Sequence, residues 1–68
     1  MKKTISIEGM SCNHCVGSVK DALSKISGVK EVEVSLEYKK AVVEVEGVDD
    51  KTLSDAITSI GFDVVEIE

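Results

Sequence analysis

Residues 31–46 read EVEVSLEYKKAVVEVE, and this stretch decides the fold. From Glu31 to Leu36 charged or polar residues alternate with Val32, Val34 and Leu36, the two-residue period of a half-buried strand. From Ala41 to Glu46 the alternation resumes, placing Ala41, Val43 and Val45 on one face and Val42, Glu44 and Glu46 on the other. Between the two runs, Glu37-Tyr38-Lys39-Lys40 is polar enough for a hairpin turn, although it lacks the Asn-Gly signal. Two strands thus lie side by side at the centre of the chain.

Working outward, a helix flanks this pair on each side. On the N-terminal side, Cys15, Val16, Val19, Ala22, Leu23 and Ile26 form one apolar stripe, which predicts a helix from about Asn13 to Ser27. Gly28 then suits the left-handed residue that commonly follows a helix end. Gly17 lies inside this helix at a cost of about 1 kcal/mol relative to Ala, which close backbone packing would explain. On the C-terminal side, Asp49 or Asp50 caps a second helix with the stripe Leu53, Ala56, Ile57 and Ile60, ended by Gly61. Two outer strands complete the chain. Residues 3–8 alternate with Ile5 and Ile7 inward, and residues 62–67 form a last strand whose inward face the pattern leaves open.

The order is βαββαβ. Right-handed crossovers then put both helices on one face of a four-stranded antiparallel sheet, the ferredoxin-like α+β arrangement. The other face would carry Ser6, Glu8, Glu31, Glu33, Glu44 and Glu46, an acidic solvated surface. The whole chain, residues 1–68, is expected to be a single domain. At this size it buries only about 60% of its unfolded surface, which argues against an internal catalytic cleft.

Composition narrows the function further. Eight lysines, no arginine and 13 acidic residues give a net charge of −5, the opposite of a phosphate-neutralising surface, and there is no Trp. Nucleic acid is therefore excluded as a partner. No apolar run approaches the roughly 20 residues that span a bilayer, and Met1-Lys2-Lys3 leads into alternation instead of a signal-peptide core. The expected address is the cytoplasm.

In that reducing compartment Cys12 and Cys15 read as working thiols, since a disulfide between them would close almost no loop. They sit where the first strand meets the first helix. Free N–H groups and the helix dipole favour negative charge there, lowering thiol pKa, above all at Cys15. Two thiolates without further strong ligands suit a soft ion of low coordination number: Cu(I) first, then Hg(II) or Ag(I). A closed zinc site wants four ligands, although Asp63 or Glu8 could complete an open Zn(II) site. A dithiol oxidoreductase shares the C-x-x-C spacing, but the chain is too short for a thioredoxin-like fold. An acylphosphatase-like hydrolase would need an anion-binding Arg and fails.

Gly9-Met10-Ser11-Cys12-Asn13-His14-Cys15 resembles the G-M-x-C-x-x-C signature of heavy-metal-associated domains, and the likeness runs through Gly28-Val29 to Gly61-Phe62-Asp63-Val64. The resemblance implies the βαββαβ fold, Cu(I) held by Cys12 and Cys15, and delivery to the metal-binding domain of a copper-transporting P-type ATPase. It implies a monomer or a Cu(I)-bridged dimer, peripheral contact with a membrane transporter only, and no enzymatic activity. His14 is similar to the bacterial chaperones, whereas Phe62 stands where they usually carry Tyr and ATPase modules commonly carry Phe. An excised ATPase module and a mercury or zinc carrier are the alternatives. A start at Met1 and an end at Glu68 favour a free-standing chaperone, and the lack of an Asp beside the first cysteine argues against the zinc and cadmium branch. Met10 is expected in the core, His14 exposed and directed away from the metal, Phe62 at the core's edge as an apolar shield, and Tyr38 on the surface.

Overall fold

The computed structural model describes residues 1–10 and 13–68. The elements run β1 (Lys2–Glu8), α1 (Asn13–Ser24), β2 (Val29–Ser35), β3 (Lys40–Val45), α2 (Asp50–Thr58) and β4 (Asp63–Ile67). They form one antiparallel sheet of order β2-β3-β1-β4, so each strand–helix–strand half inserts one strand between those of the other. That is the expected ferredoxin-like topology.

Strand alternation sorts the side chains. Ile5 and Ile7 of β1, and Ala41, Val43 and Val45 of β3, are fully buried beneath the helices because both strands are central. The edge strand β2 only half-buries Val32 and Val34, which pack against the same cluster. Val19 and Leu23 from α1, with Leu53 and Ile57 from α2, close the core from above. Each such aliphatic side chain contributes about 1.5–3 kcal/mol on burial, so the helices are held chiefly by these four.

Four local features depart from the periodic pattern. α1 stops at Ser24, and Ile26 is held in the following turn by donating its N–H to the Leu23 carbonyl at 3.1 Å. Gly28, with φ +100°, therefore lies well beyond the helix, where its carbonyl accepts the Glu46 N–H at 2.8 Å. α2 stops at Thr58, so Ile60 falls in a turn and is 38% exposed instead of completing the stripe. In β4 the register slips: Ile7 pairs with Val64 but Ser6 pairs with Glu66. The extra residue, Val65, is 62% exposed, while Val64 and Ile67 both pack on the core. A bulge thus replaces the alternation that would have assigned an inward face. At Gly17, an added Cβ would meet nothing within 4 Å, so close packing does not account for that residue.

Candidate metal centre

The end of the sheet where β1 stops gathers three connections: the β1–α1 loop, the β2–β3 hairpin and the turn before β4. The hairpin is tied there because Ile7 donates its N–H to the Lys39 carbonyl at 2.9 Å. Its tip carries Tyr38, 69% exposed as expected for a surface residue. Lys39 adopts φ +55°, a left-handed conformation without glycine.

The β1–α1 loop is pinned on both sides. Gly9 has φ +102°, and a Cβ there would lie 3.1 Å from Cδ1 of Phe62. The ring therefore rests on the backbone where the chain leaves β1. Met10, next in line, is 3% exposed and belongs to the core cluster, as expected. On the far side, Cys15 and Val16 are half-buried against the same cluster. His14 is exposed. Cys12 and Ser11 lie outside the described residues, so the structure places Cys15 of the expected pair and not its companion.

Electrostatics distinguish the two helix starts. α2 is capped by Asp49, whose carboxylate accepts from the Thr52 hydroxyl at 2.6 Å and the Thr52 N–H at 2.9 Å. Those two bonds, the hydroxyl's foremost, hold the Asp49 carboxyl below the ordinary carboxylate range. Asp50 adds a second negative charge in the first turn and pairs with Lys3 at 2.7 Å. α1 carries no acidic residue in its first turn, where Cys15 lies. The positive end of its dipole therefore favours whatever anion forms there.

The two carboxylates considered as further zinc ligands do not share a face of the sheet with Cys15. Glu8 and Asp63 face one another across β1 and β4 on the open side of the sheet, whereas Cys15 packs on the helix side. Among the described residues, no three His, Cys, Asp or Glu side chains converge on one point. The Phe62–Gly9 contact is the feature that sequence reading missed; its only signal in the sequence was a glycine at the end of the first strand.

The open sheet face holds the chain's charge imbalance. Glu31, Glu44 and Lys2 form one cross-strand row, and Glu33, Val42 and Thr4 the next, extended by Glu68 bonded to Thr4. Below them lie Ser35, Lys40, Ser6 and Glu66, then Glu8 and Asp63. Seven carboxylates thus meet two lysines. Glu46, expected here, follows the end of β3 and pairs with Lys30 at 2.6 Å; counted with the rest of the molecule, it leaves six acidic and six lysine side chains there that cancel, so the formal −5 resides on this face.

Comparison with known proteins agrees with this architecture. The family model described as the heavy-metal-associated domain matches residues 4–63. The copper chaperone CopZ of Enterococcus hirae is 44% identical over 64 residues, covering 91% of this chain and 93% of that one. Copper-transporting ATPase 1 of Mus musculus is 39% identical over 64 residues, covering 91% of this chain and 4% of the ATPase. A solved structure of a CopZ metallochaperone superposes with a TM-score of 0.92 at 37% identity, covering 96% of this chain and 100% of that chain.

Proposed function

This chain belongs to the heavy-metal-associated domain family, and from that membership we propose that it is a cytoplasmic copper chaperone acting as a single domain over residues 1–68. Cu(I) is its cargo, bound by Cys12 and Cys15 and delivered to a thiol-bearing domain of a copper-transporting ATPase. The observation that carries the reading is the start of α1, where a cysteine packed at the core's edge lies in a helix turn without carboxylates. The near end-to-end likeness to a CopZ chaperone supports copper as the cargo.

Binding releases one proton from each thiol, so the Cu(I)–bis-thiolate unit carries one net negative charge, offset in part by the α1 dipole. Transfer begins when a partner thiolate attacks the two-coordinate ion, giving a three-coordinate shared state. One original thiolate then departs and takes up a proton, a second partner thiolate enters, and the other departs likewise. The phenyl ring of Phe62 shields the loop's root without offering a hydrogen bond to sulfur. No substrate bond is broken, and the protein acts as a carrier, not an enzyme. A second reading, an ATPase metal-binding module, is favoured by the likeness to the mouse ATPase over 91% of this chain.

Anaerobic competition for Cu(I) and Zn(II) against chelators of known affinity tests the assignment. Cys12→Ser and Cys15→Ser should each abolish tight Cu(I) binding while circular dichroism stays native. Retention of tight stoichiometric Cu(I) by the double variant, or a preference for Zn(II), refutes it. For transfer, a rate independent of partner concentration would mean that Cu(I) dissociates first.

A further inference from the structure

The open face of the sheet is a surface that the metal reading does not use. Along β2 and β3 it contains two adjoining hollows, of about 280 Å³ beside Glu31 and Glu44 and about 620 Å³ beside Tyr38. Glu33 and Val42 line both, so the hollows form one groove parallel to the strands, with Val42 on its floor. Lys2 borders one end and Lys40 the other. Of the carboxylates between them, Glu44 is engaged by the terminal ammonium at 3.1 Å. Among the described residues, Glu31 and Glu33 take part in no ion pair.

We propose that this groove docks an extended basic segment of a partner protein, with cationic side chains at positions i and i+2 and an aliphatic one at i+4. The spacing follows from the strand itself. Glu31 and Glu33 are two residues apart on one face, roughly 7 Å, which is the same-face repeat of any extended chain laid along them. The next step along β2 reaches Ser35 and the exposed ring of Tyr38, an apolar stop for an aliphatic residue.

Other occupants fit less well. A second copy of this chain offers either the same acidic face or a surface whose charges cancel, so it brings no complement. Nucleic acid is repelled. A bare cation lacks a cage, because no three candidate ligands converge among the described residues. A basic segment meets opposite charge with small desolvation, since the carboxylates remain at the rim, and it gains encounter rate from the field of the whole face. The groove's Tyr38 end lies at the same end of the sheet as the β1–α1 loop. A segment seated there would tether its parent protein beside Cys15 without covering α1, raising the local concentration of an incoming thiol.

Docking requires no metal, so its test is independent of the copper assignment. The full-length reduced apoprotein is titrated with the acetylated, amidated peptide AKAKALA, with AAKKALA (same composition, broken spacing) and AEAEALA as controls. Tyr38 is the only tyrosine and there is no Trp, so protein fluorescence reports the groove directly. Amide chemical shifts map the contact. AKAKALA should give saturable changes confined to Glu31–Tyr38 and Val42, weakening severalfold between about 20 and about 150 mM salt. AAKKALA should bind at least about threefold more weakly, and Glu31→Gln with Glu33→Gln should weaken AKAKALA by about fivefold or more. Asp21→Asn with Asp55→Asn, on the helix face, should leave it unchanged. Equal binding of the two lysine peptides, shifts spread over the helix-face carboxylates, or no saturable response would each overturn the proposal.

Discussion

Gly28→Ala is the sharpest test of how the two halves of the fold are joined. Gly28 adopts φ +100°, which an L residue enters at a cost of about 1–2 kcal/mol. An added Cβ would lie 2.5 Å from the Glu46 carbonyl oxygen and 2.7 Å from Cγ2 of Val48. The first neighbour is backbone, so the connection into α2 must shift, adding about 1–2 kcal/mol of overpacking strain. That shift also strains the bond from the Glu46 N–H to the Gly28 carbonyl, now 2.8 Å long. The sum is about 3 kcal/mol against a total stability of roughly 3–10 kcal/mol for a domain this small. Thermal unfolding of the reduced apoprotein, followed by circular dichroism, should show the midpoint falling by about 12–24 °C. Gly17→Ala is the matched control. It meets nothing within 4 Å on an exposed helix position, so it should gain about 1 kcal/mol and raise the midpoint by about 4–8 °C. A fall below about 4 °C for Gly28→Ala would refute the close-approach argument, because strain at this φ alone already exceeds it.

Asp49→Ala should lower the melting temperature near neutral pH, and the deficit should shrink in acid. The Asp49 carboxyl is depressed by its bonds to Thr52, so its contribution is complete above the ordinary value of about 4 and is lost as pH falls through the lower folded value. A deficit that grows on acidification would contradict that sign. At Lys39, with φ +55°, substitution by Gly should stabilise by up to about 0.5 kcal/mol, the backbone strain relieved slightly exceeding the entropy of glycine. Lys39→Val should cost about 1–2 kcal/mol, since a β-branched residue tolerates this region poorly; urea denaturation measures both, and equal effects would refute the reasoning. Stopped-flow Cu(I) transfer to a partner domain docking at the loop alone should depend only modestly on ionic strength, because the net charge lies on the sheet face. A steep salt dependence for such a partner would show that the face steers it after all.

What could be read from the sequence was whatever repeats with the period of its element. Ile5, Ile7, Ala41, Val43 and Val45 were legible because central strands bury every second residue, and all five are core. The same logic failed in β4, where a bulge at Val65 lets Val64 and Ile67 face inward three positions apart. It also overran both helices, since Ile26 and Ile60 keep the 3.6-residue phase in the turns beyond them. Gly28 was legible as a left-handed residue, but its reason, the approach of Glu46 and Val48, is a tertiary contact that no local pattern encodes. At the candidate site, Met10 is in the core, as expected for the residue leading into the short loop, and His14 is exposed, as expected for the residue inside the C-x-x-C spacing. The ring of Phe62 on Gly9 was not legible, because it joins residues at opposite ends of the chain.

The fold consists of two strand–helix–strand units, so it provides two topologically equivalent helix starts with the same dipole sign. The sequence treats them oppositely. At α2 the positive end is already answered: Asp49 caps it, Asp50 adds charge in the first turn, and Lys3 anchors Asp50 to the sheet. An anion arriving there would meet two carboxylates. At α1 no carboxylate occupies the first turn, and that turn carries Cys15. Any charge it stabilises is therefore one that chemistry must generate there, as ionisation of a thiol does and a resident carboxylate would not. Placing an Asp in the first turn of α1 would stabilise the helix by the rule that serves α2, at about 0.3–1 kcal/mol. It would also set a fixed negative charge near Cys15, disfavouring thiol ionisation and so, on the proposed reading, the binding of a cation by Cys12 and Cys15. The unoptimised start of α1 is in this sense the structural counterpart of Cys15, and it follows from comparing the chain's two halves with each other.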